Sequence, residues 1–244
     1  MQPTIGLFIP CYVNQFYPQA GIATWRLLQQ AGCKVEYPVE QTCCGQPMAN
    51  AGYMSLTNPS NELFVRLFEK YDYIVAPSGS CVLHLKEHLP TKNKPADNLC
   101  ARIFEICEFM TDILKTDRLE SSFPYKVALH PGCHGQRGLH LSPSSEIPGT
   151  GLDKPRYLLE MVKGIELVEP VRPDECCGFG GTFSVSEEAV SVKMGQDRIR
   201  DFVTQKAEYI TSTDMSCLMH LEGILRRQGS QMKVRHIAEI LAGR

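Results

Sequence analysis

The sequence predicts an α/β fold built from two similar domains in tandem, each with a parallel sheet. Three observations predict it. Short apolar runs of strand length alternate with amphipathic helical stretches along the whole chain. An unusual triplet occurs twice, as Cys43-Cys44-Gly45 and Cys176-Cys177-Gly178. The order of elements around the first triplet then recurs around the second.

Taken in order, Ile5 to Cys11 is an apolar run ended by Pro10 and reads as a buried strand. A helix is expected from about Gln19 to Ala31, with Ile22, Trp25 and Leu28 on one face and Gly32 as its stop. A strand from Lys34 to Tyr37 precedes Cys43-Cys44-Gly45, and a helix from about Asn61 to Glu69 follows. The strand Tyr73 to Ala76 leads to Cys81, with His84 one turn into the next helix. A helix from about Leu99 to Lys115, faced by Ile103, Ile106, Met110 and Ile113, is expected to close the half.

The second half repeats this order. The strand Val127 to His130 ends at Pro131-Gly132-Cys133, and a helix through Tyr157, Leu158, Met161 and Val162 stops at Gly164. A strand from Ile165 to Val168 precedes Cys176-Cys177-Gly178, and a helix covers about Glu187 to Gln205. A strand starts at Tyr209, Cys217 and His220 open the next helix, and a last helix is expected from about Val234 to Ala242. Corresponding residues lie 122 apart at Cys11/Cys133, 132 at Gly32/Gly164, 133 at Cys43/Cys176 and 136 at Cys81/Cys217 and His84/His220. A loop lengthened by about ten residues between Gly135 and Asp153 accounts for most of that drift, as expected of a duplicated unit. The expected domains are 1–120 and 121–244, Rossmann-like and related by a pseudo-twofold, with the boundary near Thr116 to Tyr125.

With 244 residues, 43% hydrophobic and 21% charged, the composition is that of a globular protein. A net charge of −2 without a basic run argues against nucleic acid as a partner. No export signal or transmembrane stretch is visible, so a cytoplasmic protein is expected. Eleven cysteines in such a chain point to metal ligation or redox chemistry, because disulfides seldom persist in the cytosol. Cys33, Cys100 and Cys107 have no counterpart in the repeat; the last two, seven apart on the expected helix, are assigned to core packing.

The remaining eight fall into two sets, Cys11, Cys43, Cys44 and Cys81, and Cys133, Cys176, Cys177 and Cys217. Their spacing is C-x31-CCG-x35-C-x2-H in the first half and C-x42-CCG-x38-C-x2-H in the second, making His84 and His220 candidate additional ligands. Ligands in open α/β sheets collect beyond the carboxyl ends of the strands, where both sets are expected to gather. Thiolates select soft metals. Adjacent cysteines close on one zinc only with strain, whereas a cluster offers several irons to neighbouring sulfurs. That favours iron–sulfur chemistry and leaves zinc in one or both sites as the alternative.

Both halves resemble the CCG cysteine-rich family, which includes the cysteine-rich subunit of heterodisulfide reductase, glycolate oxidase iron–sulfur subunits and lactate-utilisation proteins. His130-Pro-Gly-Cys133-His134-Gly-Gln-Arg137 and Glu175-Cys-Cys-Gly-Phe-Gly-Gly-Thr-Phe183 are similar to that family's second-half signatures. With two such domains and no ferredoxin segment, the chain looks most like the iron–sulfur subunits of lactate utilisation. The resemblance implies an iron–sulfur cluster, 4Fe–4S, in each domain, and an oxidoreductase subunit that acts with the other subunits of an L-lactate-oxidising complex. It departs from heterodisulfide reductase, whose motif ends Cys-x2-Cys, at His84 and His220. A zinc-holding binding subunit and a thiol–disulfide oxidoreductase are the alternative functions. No general base and substrate clamp are visible that would let this chain oxidise a hydroxy acid alone.

Overall fold

In the computed structural model, which describes residues 2–89, 99–146 and 151–243, the first half begins with β1 (Thr4–Leu7), α1 (Cys11–Phe16) and α2 (Pro18–Gln30). It continues through β2 (Lys34–Glu36), α3 (Gln46–Asn50), α4 (Asn58–Phe68), β3 (Tyr73–Ala76), α5 (Gly79–His88), β4 (Ile103–Glu105) and α6 (Ile106–Glu108). The second half runs β5 (Lys126–His130), α7 (Lys154–Glu160), β6 (Glu166–Val168), α8 (Phe183–Ser186), α9 (Glu188–Thr204), β7 (Tyr209–Ser212), α10 (Met215–Arg227), β8 (Lys233–His236) and α11 (Ile237–Leu241). Two all-parallel sheets result, in the orders β2-β1-β3-β4 and β6-β5-β7-β8. The α/β fold of two similar parallel-sheet domains is therefore the observed one. The lengthened loop Gly135–Asp153 starts with a wide helical turn at His134–Gly138, and its residues 147–150 lie outside the described ones.

Strands covered on both faces are apolar throughout. Ile5, Ile74, Val75, Val127 and Ile210 have no exposed surface. Helix α2 turns Ala20, Ala23, Leu27 and Leu28 inward, and Gly32 ends it with φ +80°, a left-handed conformation that spares glycine alone the Cβ clash. Gly164, its counterpart, has φ +81°.

Two expected elements are corrected. The stretch from Leu99 to Lys115 is not one helix, and neither is Val234 to Ala242. Each contains an edge strand, β4 or β8, that passes directly into a short helix. The junction is made by a side-chain cap in both cases. Glu105 Oε2 accepts the Cys107 amide at 2.6 Å, and His236 Nδ1 accepts the Ala238 amide at 3.1 Å. Without an intervening turn, the apolar spacing of strand and helix merges into one helical pattern. Cys100 and Cys107 are thus separated by β4; Cys107 is wholly buried and Cys100 packs at the edge of a core cluster.

The halves share a core. Helix α2 packs against α11, and the cluster holding Ile5, Leu7 and Leu28 also holds Val127, Ile210 and Leu241. A second cluster, with Phe8, Phe64, Phe68 and Ile74, lies beneath the first Cys-Cys-Gly triplet. Ser78 and Asp214, the corresponding cap positions of α5 and α10, pair with each other in an antiparallel bridge, as a local twofold requires.

Candidate metal centres

Cysteines of each half arrive from three places. Cys11 follows β1 and Cys81 opens α5 after β3. Because β2 and β3 flank β1 on opposite sides, the chain reverses direction across the sheet there, leaving a crevice at the carboxyl ends. Cys43 and Cys44 reach the crevice on the loop after β2. Gln41 fastens that loop: its Oε1 accepts the Ile9 amide at 2.7 Å, and its Nε2 donates to the Leu7 carbonyl at 3.1 Å. Cys133, Cys176, Cys177 and Cys217 occupy the same places around β5, β6 and β7.

In the first pocket Cys11 Sγ lies 3.8 Å from Cys43 Sγ, and Cys44 Sγ lies 3.4 Å from Cys81 Sγ. None of the eight thiols is in a disulfide. The glycine after each pair aims its amide back at the first sulfur, Gly45 to Cys43 at 3.4 Å and Gly178 to Cys176 at 3.3 Å. Both glycines are left-handed, with φ +94° and +87°. A Cβ on Gly178 would sit 2.6 Å from the Ser191 carbonyl oxygen, so no other residue fits there unmoved.

Crowding sorts the thiols. Cys43 is held far below the ordinary thiol range, first by the hydrogen bond from Cys11 and then by Cys44. Cys176 is held down in the same way by Cys133 and then Cys177. Cys11 and Cys133 are pushed up by those same bonds and by burial, as are Cys44 and Cys177. Several thiolates cannot share so small a space without a positive charge between them. A soft cation would supply it, and thiolates are the donors that select one; in the first pocket the sulfurs stand as two close pairs, Cys11 with Cys43 and Cys44 with Cys81.

His84 stands beside the first pocket. It is 4% exposed, its Nε2 has no partner, and a Cβ on Gly45 would lie 3.6 Å from that nitrogen. Burial, then His88, lowers its pKa to about 4, which keeps the ring in the neutral, ligating form. His220 is placed differently. Its Nε2 is 3.3 Å from the Ser191 carbonyl oxygen, so that nitrogen is engaged with backbone. The second pocket has another imidazole, at the last position of β5. One ring nitrogen of His130 and the sulfurs of Cys177 and Cys217 all lie within 4.8 Å of one another. The sequence places His130 three residues before Cys133; strand alternation alone does not say which face it takes, and its role is not legible there.

The pockets are near neighbours. Tyr12, next to Cys11, meets Phe179, next to the second triplet, edge to face at 6.1 Å between ring centroids. Phe179 in turn lies 6.0 Å from the His220 ring.

Comparisons agree with this duplication. The family model described as the CCG cysteine-rich domain matches twice, at residues 5–86 and 127–222. Lactate utilization protein A of Oceanobacillus iheyensis is 39% identical over 243 residues, covering 97% of this chain and 96% of that protein. The protein of the same name from Geobacillus kaustophilus is 38% identical over 246 residues, covering 98% and 99%. Among solved structures, glutamate racemase RacE1 of Bacillus anthracis covers 98% of this chain and 79% of its own at 10% identity, with a TM-score of 0.37, too loose a likeness to bear on fold or function.

Proposed function

The chain belongs to the CCG cysteine-rich domain family, among homologues of lactate utilization protein A, and from that premise we propose that it is the iron–sulfur electron-transfer subunit of an L-lactate-oxidising complex. The observation that carries the reading is the pair of four-thiol groups at the crevices of two parallel sheets, Cys11, Cys43, Cys44 and Cys81 in one and Cys133, Cys176, Cys177 and Cys217, linked thiol to thiol, in the other. Cys11, Cys43, Cys44 and Cys81, with His84, would hold the first centre, in a domain of residues 1–120. Cys133, Cys176, Cys177 and Cys217 would hold the second, in residues 121–244. An iron–sulfur cluster of the 4Fe–4S kind, one per pocket, supplies reversible one-electron capacity when bound. The chain's own residues shape the sites: Cys44 and Cys177, 3% and 2% exposed, keep water from the inner side, while half-buried Cys11, Cys43, Cys133 and Cys176 face outward. Electrons would pass to and from partner subunits in the cytoplasm, where the lactate chemistry is completed.

A structural zinc subunit is the second reading, favoured by the compact His130, Cys177 and Cys217 set, which suits tetrahedral coordination. Anaerobic purification with iron, zinc and acid-labile sulfide analysis separates the two. Brown protein with iron and sulfide, losing about half of each in Cys44→Ser and in Cys177→Ser, supports the cluster reading. Colourless protein with zinc and no sulfide overturns it.

A further inference from the structure

We infer that the imidazole of the second centre comes from His130 at the end of β5, so that the two pockets draw their histidines from different elements. The inference rests on the reading that the pockets carry iron–sulfur clusters. Symmetry with His84 would assign the role to His220, on the first turns of α10. Geometry favours His130 on three counts.

The first is its unmet bonding. His130 is 1% exposed and neither ring nitrogen has a hydrogen-bond partner. Burying an imidazole with both nitrogens unpaired is costly, because the water each nitrogen gives up is not replaced. Equally buried His236 spends one nitrogen on the Ala238 amide. His130 instead lies against the sulfurs of Cys177 and Cys217.

The second is the engagement of His220 with the Ser191 carbonyl. Turning its Nε2 to the sulfurs would break that contact.

The third is a matched change in packing. Phe8 holds the His130 position in the first half, edge to face with Phe64 at 5.3 Å and Phe68 at 5.8 Å. In the second half, Arg198 and Phe202 stand 134 residues after Phe64 and Phe68. The wholly buried Arg198 stacks on Phe202 at 4.2 Å and donates to the backbone carbonyls of Arg172 and Pro173. One half thus carries a phenylalanine triad where the other carries His130, Arg198 and Phe202. The charged groups facing His130 are Arg198, Cys176 and Asp214.

The test uses full-length chain purified without oxygen, labelled with nitrogen-15 histidine, in a Cys44→Ser background that removes the first centre. Iron and sulfide are assayed, and imidazole nitrogen coupling to the reduced centre is read by pulsed paramagnetic resonance. The coupling is expected in this parent and in its His220→Ala derivative, and is expected to vanish in His130→Phe and His130→Cys. The His130→Cys protein should keep near-parental iron, with a lower midpoint potential because thiolate replaces imidazole. Coupling that survives His130→Phe, that disappears in His220→Ala, or that is missing from an iron-loaded parent overturns the inference. If the phenylalanine variant fails to fold, the His130→Cys and His220→Ala arms decide. A parent with neither iron nor sulfide overturns the functional reading itself, which the metal assay reports separately.

Discussion

Asp214 Oδ2 accepts the Ser80 amide at 2.7 Å while its Oδ1 accepts the Ser216 amide at 3.1 Å. One buried carboxylate therefore caps α10 in its own half and holds the first turn of α5 in the other. Ser78, its counterpart, reaches the same Oδ2 at 3.4 Å, and the Gly79 amide donates to the Thr213 carbonyl. Cys81 and Cys217, on those two helices, are thereby fixed relative to each other.

Removing that carboxylate should loosen both helix starts at once. A lost cap costs about 0.5–2 kcal/mol and a stranded buried amide about 1–3. Asp214→Ala is therefore expected to lose roughly 2–4 kcal/mol in urea denaturation. Asp214→Asn, which keeps an acceptor oxygen, should lose less than half of that. Equal losses in the two variants would refute the shared-cap account.

The glycines of the two triplets should differ in tolerance. At Gly178 an added Cβ meets the Ser191 backbone oxygen at 2.6 Å and the Met194 Cβ at 2.8 Å, whereas at Gly45 it meets side chains alone, Thr57 at 3.2 Å and His84 Nε2 at 3.6 Å. Both substitutions carry the left-handed penalty of about 1–3 kcal/mol. Gly178→Ala adds overpacking against backbone, about 1–3 kcal/mol more. Thermal melts of the two variants should rank Gly178→Ala clearly below Gly45→Ala.

Gln41 is a prediction about one site and not the other. Gln41→Ala frees the loop carrying Cys43 and Cys44 from β1 while leaving Cys176 and Cys177 untouched. On the proposed iron–sulfur function, iron per chain is expected to fall by up to half, and the remaining iron should be lost on combining it with Cys177→Ser. A loss spread over both centres would contradict the assignment.

Glu105 predicts a pH dependence. It is wholly buried, and burial raises its carboxyl pKa to about 8 against the amide bonds from Cys107 and Glu108. The unfolded chain ionises it at the ordinary 4.5, so the folded protein holds a proton that the unfolded one releases. Its stabilising contribution is full below that ordinary value and is lost as pH rises through the folded one. At about 1.4 kcal/mol per pKa unit, the fall across this window amounts to several kcal/mol. Glu105→Gln keeps the cap acceptor and should flatten the slope, measured by denaturation at a series of pH values. An unchanged slope would exclude Glu105 as its source.

Much of this molecule is legible in its sequence, for identifiable reasons. The triplets, the stops at Gly32 and Gly164 and the apolar runs of β1 and β5 are local signals, set by neighbours within a few residues. The edge strands β4 and β8 are not, because Glu105 and His236 end a strand and cap a helix in the same residue, leaving no turn to mark the change. The eight cysteines are grouped by spacing. The pocket histidines are harder: His84 and His220 share a motif position, and only the fold reveals that His220 bonds the Ser191 carbonyl while His130 lies among the sulfurs. The long-range roles of Gln41 and Asp214 are likewise silent in the sequence, since Ile9 and Ser80, which they bind, are 32 and 134 residues away.

The packing of α2 against α11 has a consequence for biogenesis. Residues 18–30 leave the ribosome long before residues 237–241 exist, so the earlier helix must wait with Ala23, Leu27 and Leu28 uncovered. Contacts so distant along the chain slow folding and lengthen the exposure of sticky intermediates. Nascent chains halted before residue 237 should therefore engage chaperones, and on the proposed function the earlier pocket should fill only after synthesis has passed that point.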